Sequence, residues 1–374
     1  LKKMHCNVHV LMTQNATNFI TATTFETLTG NKCLIDTFDR NFEFSVEHVA
    51  LAKQADLVLI APATANVIGK IAGGIADDML TTTVMACTCK KLIAPAMNHN
   101  MYHNPIVQEN LEKLKRYDYE IIDPVCGMLA NGDTGDGKLP SEETLVQYVL
   151  KELAFPKDMQ DMKVLVTAGP TQEAIDPVRY ITNHSTGKMG YAIAKMAMLR
   201  GAKVTLVSGP TALEIPMFLE YVPVVSAEEM CQEVLKRAGE QDMIIKAAAV
   251  ADYRPANTAT EKIKKSDEET QLQLERTTDI LAALGKQKGN TVLCGFSMET
   301  ENMLENSRKK LEKKNLDMIV ANNLKQEGAG FGTDTNILTL ITRDAEHELE
   351  IMSKEKAAGC LLDELCAIRK KRQG

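Results

Sequence analysis

Residues 164–190, VLVTAGPTQEAIDPVRYITNHSTGKMG, constrain the fold of this chain more than any other stretch. Val164-Leu165-Val166-Thr167 is short, apolar and β-branched, the pattern of a strand buried on both faces in a parallel sheet. The run breaks at Ala168-Gly169-Pro170, passes Asp176-Pro177, and reaches Ser185-Thr186-Gly187-Lys188 before an Ala/Met-rich helix over 187–200. Gly201 stands where a helix C-terminus favours a residue without Cβ. A second strand over 203–207 completes a βαβ unit. A loop that feeds a helix N-terminus presents unpaired backbone N–H groups, which suit phosphate.

This loop carries neither of the two common phosphate fingerprints. It lacks G-x-G-x-x-G, and Ser208-Gly209-Pro210 stands where a dinucleotide fold places its ribose-binding acid. It also lacks G-x-x-x-x-G-K-[ST]. Residues 185–188 equally suit a helix cap beside a surface lysine.

At 374 residues the chain is long for one core, so two domains are expected, with Phe155-Pro156-Lys157-Asp158 as the linker. The net charge of −7 argues against a nucleic-acid surface, so anionic ligands must meet local basic clusters. No apolar run reaches the roughly 18 residues of a spanning helix. Nine cysteines without a framework, and no secretory signal, fit reduced thiols in a cytoplasmic protein. The first residue is Leu1, and the opening reads as a helix end running into a strand over 8–13; a short N-terminal piece is expected upstream.

In the first half, Asn15-Ala16-Thr17 reads as a helix cap, and His48 opens a helical stretch, HVALAKQAD. Strands are expected at 56–60 and 91–94. They end in Ala61-Pro62-Ala63-Thr64-Ala65-Asn66 and Pro95-Ala96-Met97-Asn98, two small, polar-tipped loops. In open α/β sheets ligands sit at that edge, where small residues let a flat ring approach and Thr64, Asn66 and Asn98 supply directional hydrogen bonds. Two plain βα turns punctuated by Pro and Asn explain the same residues. Residues 127–138, GMLANGDTGDGK, hold four glycines in twelve and read as a mobile flap or a surface loop. A helix over 141–153 follows.

In the second half, a strand over 242–246 runs into Ala247-Ala248-Ala249-Val250-Ala251-Asp252-Tyr253, suited to close approach of a nucleotide or to tight helix-on-sheet packing. Glu261-Lys262-Ile263-Lys264-Lys265 concentrates cations, either as a solvated face or as a triphosphate site. Strands are expected at 291–296 and 318–323, separated by a charged helix that starts at Glu299-Thr300 and carries Lys309, Lys310, Lys313 and Lys314. Residues 336–353 alternate as a hairpin around Asp344-Ala345. A last helix ends in Arg369-Lys370-Lys371-Arg372, a cluster expected to complement its dipole.

Together these segments resemble one family: the bifunctional coenzyme A biosynthesis proteins, in which phosphopantothenoylcysteine decarboxylase is fused to phosphopantothenate–cysteine ligase. The resemblance spans nearly the whole chain. TAGPTQEAIDPVRYITNHSTGKMG, KAAAVADYRP with EKIKK, ADLVLIAPATAN and PAMNHNMY carry it by their order and co-occurrence. It implies an α/β chain of two domains: a flavodoxin-like or Rossmann-like FMN-binding decarboxylase domain over 1–155 and a Rossmann-like ligase domain over 156–374. It places the decarboxylase histidine on His48 and the carboxylate-holding asparagine on Asn98, with FMN against Thr64, Asn66 and Thr13. An imidazole acts near neutral pH, and an uncharged amide can hold a carboxylate without preventing its departure.

For the ligase the resemblance implies CTP-dependent activation of 4′-phosphopantothenate as an acyl-cytidylate, then attack by the L-cysteine amine, with Mg²⁺ assisting. Asn183 matches the residue that steadies the intermediate. Asp252, Lys262, Phe296, Lys310 and Lys314 match nucleotide-binding positions, with Ala247, Ala248 and Arg276 in segments lining the same pocket. A homo-oligomer is also implied, with small molecules as the other partners and neither nucleic acid nor membrane.

The first half departs from the family twice. The family's glycine-rich N-terminal strand-loop has no counterpart from Leu1 onward and is expected in the piece upstream. The flap reads Leu129-Ala130-Asn131-Gly132 where the family has L-A-C-G, so Asn131 replaces the cysteine that protonates the intermediate. An amide has no such proton to give; Cys126 is the nearest thiol in the flap. The alternative reading is an active ligase whose first half is arrested, or serves as a binding or scaffold module.

Overall fold

The computed structural model describes residues 1–37, 47–128, 132, 134–264, 271–298, 302–322 and 333–373. The chain divides into two units, Leu1–Ala154 and Phe155–Gly374.

In the first unit, β1 (Leu57–Ala63), β2 (Lys90–Pro95) and β3 (Tyr119–Ile121) form a parallel sheet in that order. Its helices are α1 (Ala22–Thr29), α2 (Glu47–Gln54), α3 (Ala65–Gly73), α4 (Met79–Ala86), α5 (His99–Tyr102), α6 (Pro105–Arg116) and α7 (Glu142–Leu153). Ile93 faces Ile60, Ile68, Ile71, Leu111 and Leu114, while its neighbours Leu92 and Ala94 face Ile122 and Val149. Both faces are therefore buried, which is why these strands read as unbroken apolar runs.

Three expectations fail here. Residues 8–13 form no strand: they make one bridge, Leu11 to Leu34, and only Met12 is buried. Two backbone hydrogen bonds to so short a partner do not extend a ladder. The following turn is a 3₁₀ helix over Gln14–Asn18, capped not by Asn15 but by Thr13, whose Oγ1 accepts the Ala16 N–H at 3.2 Å. The glycine-rich stretch is not simply a loop: β4 (Val125–Met128) pairs antiparallel with β5 (Thr134–Lys138). Cross-strand hydrogen bonds overcome the poor strand propensity of glycine there.

The second unit contains β6 (Lys163–Ala168), β7 (Gln172–Ala174), β8 (Tyr180–Thr182), α8 (Lys188–Leu199), β9 (Lys203–Ser208), β10 (Glu220–Pro223), α9 (Ala227–Ala238) and β11 (Met243–Lys246). It continues with β12 (Tyr253–Pro255), β13 (Leu274–Arg276), α10 (Ile280–Gln287), β14 (Val292–Met298), α11 (Met303–Lys313) and β15 (Met318–Asn322). The remainder is β16 (Thr335–Asn336), β17 (Leu338–Thr342), β18 (Glu346–Glu348), β19 (Met352–Ser353) and α12 (Lys354–Gln373). Eight strands form one sheet in the order β10-β9-β6-β11-β14-β15-β17-β18. The six from β10 to β15 are parallel, and the β17–β18 hairpin closes the edge antiparallel.

Numbered within this sheet the order is 3-2-1-4-5-6, the doubly wound arrangement, with its direction of winding reversing between β6 and β11. Leu165, Ile244, Leu293 and Ile319 build the core against Met230, Val234, Leu281 and Leu311 of the covering helices. The expected start of the charged helix at Glu299-Thr300 lies outside the described residues; α11 is described from Met303. Among the described residues no helix is long and apolar enough to cross a membrane.

The basic end of α12 does more than complement a dipole. Arg369 pairs with Asp242 before β11, and Arg372 pairs with the buried Asp317 before β15, which Lys288 also meets at 2.8 Å. The helix is thereby tied to the starts of two central strands.

Candidate functional site

Doubly wound sheets take ligands in the crevice at their reversal point, which here falls at the carboxyl ends of β6 and β11. Past Lys246 the chain keeps company with β6 without forming a regular strand. The Ala247 N–H donates to the Thr167 carbonyl at 3.2 Å and the Ala249 N–H to the Gly169 carbonyl at 2.9 Å. Two buried threonine hydroxyls accept the next donors, Thr167 Oγ1 from Ala248 N–H at 3.2 Å and Thr171 Oγ1 from Ala251 N–H at 3.0 Å. Gly169 has φ +71°, and a Cβ there would lie 2.8 Å from the Gly209 carbonyl oxygen. Only glycine fits so close a turn.

Asn183 belongs to this floor. Its Nδ2 donates to the Ala249 carbonyl at 3.0 Å while the residue stays exposed. The helix after the loop is capped by Gly187, with φ +79°, rather than by Ser185 or Thr186; Ser185 Oγ accepts the Gly187 N–H at 3.3 Å. Lys188 is held by Asp334 at 2.7 Å.

One side of the crevice is strongly charged. Lys246 ends β11, in register with Thr167 on β6 and Gly295 on β14, and Phe296 is the next residue along β14. Burial pushes the Lys246 ammonium down to about 8, Lys314 and Lys310 push in the same direction, and Asp279 and Asp252 oppose them. These five side chains therefore share one electrostatic neighbourhood. Lys314 Nζ meets Asp279 Oδ2 at 2.8 Å. Burial acts to raise the Asp279 carboxyl, yet its hydrogen bonds with Lys314 and the Ala282 N–H hold it below its ordinary value. Thr277 fixes the backbone at Asp252, its N–H donating to the Asp252 carbonyl at 3.0 Å and its hydroxyl to the Ala251 carbonyl at 2.6 Å. Arg276 is exposed on β13, opposite Tyr253.

Lys262 has a different anchor. Asp176 is buried, and its carboxylate accepts from Arg179 Nε at 2.9 Å, from the Val178 and Arg179 N–H groups, and from the Ile263 N–H at 3.2 Å. The Arg179 hydrogen bonds, with those backbone donors, hold the carboxyl far below its ordinary value. The Ala259 N–H donates to the Ile175 carbonyl, so the segment bearing Lys262 is strapped to the turn after β7. Lys262 itself is exposed, and among the described residues it makes no hydrogen bond or ion pair with the Lys246 cluster.

Lys246 and Asp279 were not singled out from sequence. A lone lysine closing the apolar run MIIK was the available signal; Asp279, as the cap of α10, carried none.

In the first unit the two polar-tipped loops are neighbours, because the Ala96 N–H donates to the Ala63 carbonyl at 3.0 Å. Thr64 and Asn66 are exposed at the start of α3, where Thr64 Oγ1 accepts the Val67 N–H at 3.4 Å. Asn98 caps α5: its Oδ1 accepts the Asn100 N–H at 2.9 Å, which turns its amide nitrogen to other use. The hairpin docks on this loop, the Met97 N–H donating to the Gly137 carbonyl at 3.0 Å. Gly137 has φ +136°, and a Cβ would stand 2.1 Å from the Met97 oxygen.

Ala61 is exposed and Ala65 half-buried beside Thr64 and Asn66, small neighbours that a flat ring could approach, whereas Ala63 is buried in the core. The exposed side chains of Thr64 and Asn66 suit a flavin's polar edge, and among the described residues no hydrogen bond joins Thr13 to them. His48 is half-buried in the first turn of α2, and among the described residues no hydrogen bond joins it to Asn98. Cys126 is exposed on β4. Asn131, with Leu129 and Ala130, lies outside the described residues.

Residues 159–368 match the family model of the DNA/pantothenate metabolism flavoprotein C-terminal domain, and residues 1–154 match the flavoprotein model. The coenzyme A biosynthesis bifunctional protein CoaBC of Bacillus subtilis (strain 168) is 47% identical over 368 residues, covering 97% of this chain and 91% of that protein. The protein of the same name from Escherichia coli (strain K12) is 40% identical over 369 residues, 98% of this chain and 91% of its own. A crystal structure of the C-terminal domain of a coenzyme A biosynthesis bifunctional protein CoaBC superposes with a TM-score of 0.50 at 46% identity, covering 57% of this chain and 99% of that one.

Proposed function

The chain belongs to the family of coenzyme A biosynthesis bifunctional proteins, a ligase joined to a decarboxylase, and we propose that residues 156–374 join 4′-phosphopantothenate to L-cysteine using CTP, while residues 1–155 decarboxylate the product to 4′-phosphopantetheine. The observation that carries the ligase reading is the crevice at β6 and β11, where Asn183, Ala247 and Ala248 adjoin the Lys246, Lys310, Lys314 and Asp252 neighbourhood.

In this reading a 4′-phosphopantothenate carboxylate oxygen attacks the α-phosphorus of CTP, the bond to the bridging oxygen breaks, and pyrophosphate leaves. The cysteine amine then attacks the acyl carbon, CMP departs, and the amine proton passes to solvent. Lysine charge around a departing pyrophosphate stabilises the transition state more than the ground state. Lys310 and Lys314, with Lys246 beside them, supply that charge at one edge of the crevice; Lys262 and Arg276 bring two more cations on exposed segments. Phe296 offers an apolar surface next to Lys246, and Asn183 an amide for the acyl-nucleotide. Mg²⁺ would bind chiefly through phosphate oxygens, with Asp252 and Asp279 as the carboxylates facing Lys246.

A bound FMN would supply the two-electron acceptor and donor that thiol-assisted decarboxylation needs. Thr13, Thr64 and Asn66 would hold it. Asn98 keeps an N–H₂ group for the substrate carboxylate, and His48 places an imidazole at the start of α2. The substitution at Asn131 favours a second reading, in which the first half releases CO₂ but does not complete protonation. A homo-oligomer acting in the cytoplasm completes the proposal.

Pyrophosphate release tests the ligase step. Without L-cysteine, CTP and 4′-phosphopantothenate should give a stoichiometric burst of pyrophosphate and no orthophosphate. Orthophosphate in its place would contradict an acyl-cytidylate.

A further inference from the structure

His99, His103 and Asp136 converge where α5 meets the hairpin, and each offers one ligand atom within 4.8 Å of the others. His99 opens α5 and His103 is its C-terminal cap, so one turn of helix sets two imidazoles side by side, ring centroids 4.4 Å apart. Asp136 lies on β5, with its Oδ2 at 3.2 Å from His103 Nε2. Gly135, beside it, leaves room for the His99 ring: a Cβ there would stand 2.9 Å from Cγ and Nδ1.

His99 Nδ1 is buried without a hydrogen-bond partner among the described residues. An orphaned buried polar atom is costly, so it needs an explanation. His103 and Asp136 are about half exposed, so the group of three faces solvent on one side. We propose that His99, His103 and Asp136 form a binding site for a first-row divalent cation of the Zn²⁺ or Co²⁺ type. Two imidazoles and one carboxylate suit such borderline ions, whereas Mg²⁺ and Ca²⁺ prefer oxygen ligands throughout. Three protein ligands leave a fourth position for water. The ion would tie β5 to the turn that follows Asn98, adding a metal link to the Met97–Gly137 hydrogen bond. The site does not depend on how flavin or nucleotide bind.

Cobalt titration of the chelator-stripped, full-length protein tests this, read by d–d absorption and by equilibrium dialysis. One Co²⁺ per chain should bind, Zn²⁺ should displace it, and Zn²⁺ should raise the melting temperature of the first unit. Asp136→Asn and His103→Ala should each weaken binding at least about tenfold, and the double variant should lose it. The metal-free melting transition of the first unit, retained in both variants, shows that this unit is folded. Binding and spectrum retained in the double variant, or no Co²⁺ bound by the parent protein, would overturn the assignment.

Discussion

The two units hold their polar groups in different ways. In the second, alanine N–H groups of 247–251 are bolted to β6 through carbonyls and the Thr167 and Thr171 hydroxyls, and charges gather around one strand end. In the first, Thr64 and Asn98 cap short helices at the end of a three-stranded sheet, Asn66 lies in the first turn of one of them, and a hairpin docks alongside. The contrast fits the chemistry proposed for each. Acyl activation by a nucleotide needs fixed charge against phosphate, so a rigid central edge serves it. A flavin brings its own chemistry and asks for donors, small neighbours and exclusion of water.

The largest effect expected from breaking the ligase side is Lys262→Ala, which should lower CTP-dependent pyrophosphate release by at least about 10²-fold. Unchanged turnover would remove Lys262 from the site and leave the Lys246 cluster to bear the phosphates alone. Asn183→Ala should slow formation of phosphopantothenoylcysteine by about 10–10²-fold, and a coupled product assay will show it.

On the other side, Asn131→Cys should raise the yield of 4′-phosphopantetheine several-fold with no change in ligation; an unaltered yield counts against the proton-donor argument. Gly137→Ala should destabilise the first unit by about 1–3 kcal/mol, because its Cβ meets the Met97 oxygen and its φ is unfavourable. Two-step thermal unfolding should show the first unit's transition moving and the ligase transition unmoved.

The smallest effect is a pH dependence. The folded Lys246 loses its proton near 8, below the ordinary lysine value. Between those values the unfolded chain binds more protons, so stability should rise with pH across that window. Over the same window the KM for CTP should rise several-fold as the cation is lost. Lys246→Met should flatten both trends.

Strands buried on both faces were legible because nothing but apolar residues suits them: β6, β11, β14 and β15 lie where their runs stand. The β4–β5 hairpin was hidden because four glycines carry no strand signal, and its order comes from cross-strand and docking hydrogen bonds. Residues 8–13 show the opposite error, an apolar run whose partner is too short. Arg369 read as an end-of-helix charge because its partner Asp242 is 127 residues away. Lys246 and Asp279 acquire meaning only when the sheet order puts β11 beside β14 and α10 beneath Lys314. Local pattern fixes elements; long-range charge pairs appear only with the fold.

The most direct test of the two-site account is one incubation of the protein with FMN, 4′-phosphopantothenate, L-cysteine and Mg²⁺, with CTP or ATP, read by mass spectrometry. The account predicts phosphopantothenoylcysteine, with CMP in equal amount, in the CTP reaction, and its conversion to 4′-phosphopantetheine by the first unit. Phosphopantothenoylcysteine alone would show a working ligase beside an arrested decarboxylase. No coupled product with CTP, or equal product with ATP, would contradict the central claim.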